Sequence, residues 1–177
     1  MNRKLIRKLF PLVAILLLAP WPVAYAYDNA NAASGQVVQV QTAEPSKAPT
    51  WTVFGQAIGG VRPGDLFYID AKETPADIVV TLHLTNSADL IHNYRYLILK
   101  VGVYIETEDG KWEKVSLNNG EPIPDTFITM RNGQVSFVLA GLARYKIAID
   151  GGSFYSFTVN THEGSLSPQF YLTVDQA

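Results

Sequence analysis

The sequence predicts an all-β protein in which two antiparallel sheets stack face to face as a sandwich, and three observations lead there. Asp109-Gly110, Asn132-Gly133 and Asp150-Gly151 each lie between strand-like runs, and these pairs take the positive φ angles of tight hairpin turns. The flanking runs alternate with period two: Val135, Phe137 and Leu139; Tyr145, Ile147 and Ile149; Phe170, Leu172 and Val174. No window carries a 3.6-residue apolar stripe bounded by caps, which argues against βαβ units. A strand with one greasy face must cover it with another sheet, and that selects the sandwich.

From the start of the chain, Arg3, Lys4, Arg7 and Lys8 precede the apolar run Leu9 to Ala19 and the small residues of Val23-Ala24-Tyr25-Ala26. These are the three parts of a secretory signal, with cleavage expected after Ala26 and Ala32 as the alternative. Pro11, Pro20 and Pro22 bracket an apolar stretch shorter than the roughly 20 residues of a spanning helix, so an uncut anchor is disfavoured. Cleavage takes four cations with it. Of 177 residues 151 remain, with ten Lys and Arg against sixteen Asp and Glu, a net charge near minus six. Such a surface repels nucleic acid and anionic lipid, and no membrane insertion is expected once the signal is gone. The chain has no cysteine, so its stability must come from the core, and thiol nucleophiles and thiolate metal sites are excluded. The expected location is outside the cytoplasm: extracellular, cell-surface or periplasmic.

Residues 27–49 are rich in Ala, Asn, Gln and Ser, and read as a flexible N-terminal arm ahead of a domain at 50–177. Within the arm, Val37, Val38 and Val40 form a candidate strand, Gln36 to Gln41, that could be added to this molecule or donated to a neighbour's open edge. About ten strands follow: Thr50 to Ile58, Leu66 to Ala71, Ile78 to Thr85, Tyr94 to Thr107, Lys111 to Leu117, Thr126 to Arg131, Gln134 to Ala140, Arg144 to Asp150, Phe154 to Val159 and Gln169 to Val174.

Val61-Arg-Pro-Gly-Asp65, the run Ile78 to Thr85 and the turn Asn86-Ser-Ala-Asp89 together resemble the opening of bacterial cell-surface immunoglobulin-like domains. Biofilm-fibre subunits of the TasA and camelysin type share something similar. Leu139-Ala-Gly-Leu-Ala-Arg-Tyr145 is similar to a spacing before a late strand of fibronectin type III-like domains. The resemblance covers about a third of the mature chain and rests on turn chemistry. It implies an immunoglobulin-like or jelly-roll sandwich engaged in adhesion, display or fibre building, and it assigns no functional residue.

Catalytic and metal chemistry find little to use. Ser153 follows Gly152 in an expected hairpin without the Gly-x-Ser-x-Gly elbow of a nucleophile. His83 falls opposite the apolar set Ile78, Val80, Leu82 and Leu84, on the outer face of its strand, while His92 and His162 fall in loops. The acids Glu106, Glu108 and Asp109 lack the spacing and central glycine of a calcium loop. No catalytic residue, metal ligand or cofactor is therefore expected, with an unrecognised hydrolase as the outlying alternative.

The stretch His92 to Ile105 is the most distinctive. Leu97, Leu99, Val101, Val103 and Ile105 should face the core, leaving Tyr94, Tyr96, Ile98, Lys100 and Tyr104 opposite, with Gly102 at a bulge or bend. Tyr94, Tyr96, Lys100 and Tyr104, with Trp112 near the Asp109-Gly110 turn, form the candidate contact face, since tyrosines offer flat area at low entropic cost. Two further readings compete there: cross-strand tyrosine pairs or a second core layer, and a core position for Trp112. The functions that follow are protein contact or self-assembly outside the cytoplasm, and alternatively carbohydrate binding by the tyrosine face.

Overall fold

The computed structural model describes residues 26–28, 38–54, 58–115, 126–157 and 167–177, with backbone alone at 26–28 and 51–54. Twelve strands lie among them: β1 (Ala26–Asp28), β2 (Gln39–Thr42), β3 (Thr50–Phe54), β4 (Ile58–Arg62), β5 (Gly64–Asp70), β6 (Ile78–Leu84), β7 (Tyr94–Glu106), β8 (Trp112–Lys114), β9 (Thr126–Thr129), β10 (Gln134–Leu139), β11 (Arg144–Ser156) and β12 (Phe170–Gln176). The single α-helix among these residues, α1 (Ser87–Asn93), joins β6 to β7. The leader residues before Ala26, Val37, and the pair His162-Glu163 lie outside the described residues.

The fold is the all-β two-sheet sandwich that the alternation implies. The smaller sheet has the order β1-β12-β6-β10, antiparallel apart from the short parallel pairing of β1 with β12. The larger sheet is organised on β11. One side of β11 pairs with β7 along nearly its whole length, and the other pairs first with β5 and then with β4. Beyond these, β2 extends β5, β3 extends β4, and β8 and β9 share the far edge of β7.

Between the sheets the inward rows form one core. Leu66, Phe67, Ile69, Leu97, Leu99, Ile128, Ile147 and Ile149 of the larger sheet meet Ile78, Val80, Leu82, Leu139, Phe170 and Leu172 of the smaller, all nearly or fully inaccessible to water. Tyr145 is also buried in this core, and its hydroxyl donates to the carbonyl of Ala140 at 2.8 Å. Tyr145→Phe leaves that carbonyl without its donor and should lower the unfolding free energy by about 1–2 kcal/mol. Urea denaturation reads this directly, and an unchanged midpoint would assign the hydroxyl no role in stability.

Four expectations change. Asn132-Gly133 does not close a hairpin: β9 pairs with β7 in the larger sheet and β10 with β6 in the smaller, and Gly133 lacks a positive φ, so this turn carries the chain from one sheet to the other. Asp150-Gly151 is not a hairpin: β11 continues through it, because Gly151 has φ +143° and the register with β7 shifts there. A bulge of this kind sets two consecutive residues on one side and lets the strand go on. Asn86 to Asp89 is not merely a turn but leads into α1, whose Leu90 is buried, so His92 sits exposed on a helix rather than in a loop. Asn86 ties the junction across the molecule, donating to the Ser167 carbonyl at 2.8 Å and accepting from the Gln169 amide at 2.9 Å. Finally, part of the segment read as an arm is built in: β2 pairs with β5, Val38 is buried and Val40 packs on the core.

Candidate functional site

The outer face of the larger sheet divides into two unlike halves along β7 and β11. At one end the side chains satisfy one another. Lys146 donates to the Asp65 carboxylate at 3.0 Å, and the Tyr68 hydroxyl donates to the other oxygen at 2.6 Å. The Lys146 ammonium also lies 4.8 Å from the centre of the Tyr104 ring and 5.4 Å from that of Trp112, within cation–π range of both. Asp150 accepts from the Tyr104 hydroxyl at 2.6 Å and from Lys114 at 2.8 Å. Arg144 bridges Glu106 at 2.9 Å and Asp70 at 3.2 Å. A methyl group at Gly102 would collide with the Asp150 carboxylate, so glycine there gives that carboxylate its place.

This lattice holds the phenols of Tyr68 and Tyr104 above their ordinary value, first by burial and then by hydrogen bonding to Asp65 and Asp150. Burial alone pushes Tyr94 up to about 12. Each raised value favours the neutral phenol in the folded state, whereas the unfolded phenol ionises near 10. Their contribution to stability is therefore complete below about pH 10 and is lost as the pH climbs from 10 toward 12. A melting temperature that is level to pH 9 or so and then falls is the expected record, with the phenolate absorbance of Tyr68, Tyr94 and Tyr104 appearing only as the chain unfolds. Ionisation of all the tyrosines well ahead of unfolding would refute it.

At the other end the same face is apolar and exposed. Ile58, Tyr155 and Tyr96 lie in one cross-strand row; Gly60, Ser153, Ile98 and Thr129 form the next; Gly151, Lys100 and Phe127 the third. Ile58 is 49% exposed, Phe127 43%, Ile98 39% and Tyr96 38%. The Tyr96 and Tyr155 rings stand side by side, 6.3 Å apart and inclined by 32°. Small residues at Gly60, Gly151 and Ser153 leave a low strip between the larger ones. This is a shelf; Arg62, two residues beyond Gly60 on β4, and Arg131, two residues beyond Thr129, are both exposed.

The five residues expected to share one contact face are thus separated. Tyr94 is only 2% exposed and packs edge-on against Phe154, because a second register shift leaves Arg95 unpaired and turns Tyr94 inward. Tyr104 and Trp112 belong to the lattice around Lys146, with Trp112 half-buried on the outer face. Tyr96 and Lys100 remain on the shelf with Ile98, which the alternation had placed on the same face, and are joined by Ile58, Phe127 and Tyr155, none of which was named as a contact residue from sequence. Phe127 lies on an edge strand whose four residues carry only one buried position, so its direction could not be read from alternation.

Several of the other candidates have structural partners. His83 lies on the outer face of β6, half-buried, with its ring 6.0 Å from that of Tyr171 and 3.4 Å from the Thr173 hydroxyl. Of the acids considered for calcium, Glu106 is held by Arg144, and Asp109 by Lys111 and Thr107, which keep its carboxyl below the usual range. Val38 and Val40, considered for donation to a neighbour, flank or form β2 within their own sheet. The chain matches no protein-family model and no curated sequence.

Proposed function

We propose that this chain is an exported, non-catalytic sandwich domain that acts by protein contact at the cell surface or in an extracellular assembly, with the shelf as its contact surface. The observation that carries this is the contrast within one sheet face: large apolar side chains stand exposed side by side at one end, while the polar groups of the other end are satisfied internally. A contiguous exposed apolar patch of that kind is the ordinary mark of an interaction site. Aromatic and aliphatic anchors around small residues suit the apolar centre of a protein interface. The basic leader and the small residues before Ala26 support export.

A photo-crosslinking amino acid at Phe127, introduced in cells that export the protein, should yield a discrete protein adduct. The same probe at Val138, exposed on the smaller sheet, should not. Equal labelling from the two positions, or none from Phe127, would refute the assignment. The inclined pair Tyr96 and Tyr155 is the observation that favours a carbohydrate ligand instead. Loss of glycan binding in Tyr96→Ala at an unchanged melting temperature would establish that reading.

A further inference from the structure

The shelf and the β7–β8 hairpin stand at opposite ends of one strand and carry opposite charge. Arg62 and Arg131 are exposed beside the shelf, and neither has an ion-pair partner among the described residues. At the far end of β7 the hairpin presents Glu108 and Glu113, both exposed and likewise outside the ion pairs of the described residues. The hairpin tip is preorganised. The Thr107 amide donates to the Lys111 carbonyl at 2.8 Å and the Gly110 amide to the Thr107 carbonyl at 2.9 Å, Gly110 turns at φ +76°, and the Thr107 hydroxyl donates to the Lys111 carbonyl at 3.0 Å. A tip held in this way has little freedom left to lose on binding. From Ile98 to Glu106 an extended strand covers roughly 26 Å, so tip and shelf cannot meet within one molecule.

We propose that the shelf of one molecule receives the acidic β7–β8 hairpin tip of a second copy. The contact rests on the shelf being a protein-binding surface and joins two different patches. An interface of that kind is heterologous, and it propagates head to tail unless the rotation closes a ring. Apolar side chains supply the area, and the pairing of Glu108 and Glu113 with Arg62 and Arg131 sets the direction.

The test is sedimentation velocity of the protein recovered after export. Self-association is expected at low ionic strength, weakened at least about tenfold in ~1 M salt, where the screening length falls to ~3 Å. E108K/E113K and R62E/R131E should each weaken association by at least about tenfold. An equimolar mixture of the two variants should associate again, because each restores the other's complement, which a misfolded variant could not do. A monomer under all conditions overturns the proposal. So does association abolished by Phe127→Asp but untouched by E108K/E113K, and that outcome leaves the shelf as a contact surface for a different protein.

Discussion

Phe67→Ala is expected to cost about 3–5 kcal/mol of unfolding free energy, the range for deleting a fully buried aromatic ring. Phe67 is inaccessible to water and lies on β5, between β2 and β11. The register between β5 and β11 shifts beside it, so Leu66 and Phe67 are consecutive and both buried. A ring at such a point packs against both neighbours of its strand, and the backbone around a bulge is poorly placed to collapse into the space left behind. Domains of this size commonly have only 5–15 kcal/mol in total, so the variant should be substantially unfolded at elevated temperature. Guanidinium or urea unfolding with an unchanged m-value would give the difference directly. A loss below about 1 kcal/mol would mean that the core relaxes around the cavity, contrary to the packing described here.

Lys146→Met is expected to cost about 2–3 kcal/mol, an unusual figure for a lysine on the outer face of a sheet. Exposed ion pairs contribute about 0.2–1 kcal/mol, and breaking a fully buried pair costs about 3–5 kcal/mol. The side chains of Lys146 and Asp65 are 15% and 18% exposed, which places this pair between those limits. Methionine keeps much of the stem but loses the charge facing Tyr104 and Trp112, and leaves Asp65 with the Tyr68 hydroxyl as its remaining close partner. The double variant Asp65→Asn/Lys146→Met should therefore be less damaging than the sum of the two single changes, by about 1–2 kcal/mol. Strict additivity would show that the two groups do not interact in solution.

These two predictions mark how differently parts of the molecule were legible. The inward rows were readable because alternation has a period of two and a sheet buries one face: Leu97, Leu99, Val101 and Val103 of β7 are all buried, as their spacing requires. Helix α1 was not readable, since seven residues with one buried leucine leave no periodicity to detect. Nor was the continuity of β11, because Asp-Gly serves a hairpin turn and a bulge equally well by permitting positive φ. That ambiguity decided the candidate site. A shift of register at Arg95 turned Tyr94 into the core, and another at Asp150 put its carboxylate above Gly102, within reach of Tyr104 and Lys114.

What the amino-acid sequence determined by itself was the class of fold, the absence of thiol chemistry, and which residues line the core, because those follow from composition and local alternation. Which polar and aromatic side chains meet on the outer face was left to the tertiary structure. Lys146, Asp65, Tyr68, Tyr104 and Trp112 come from four different strands, as do Ile58, Tyr96, Phe127 and Tyr155. Their juxtaposition depends on strand order and register, and a shift of one residue sends a side chain to the opposite face.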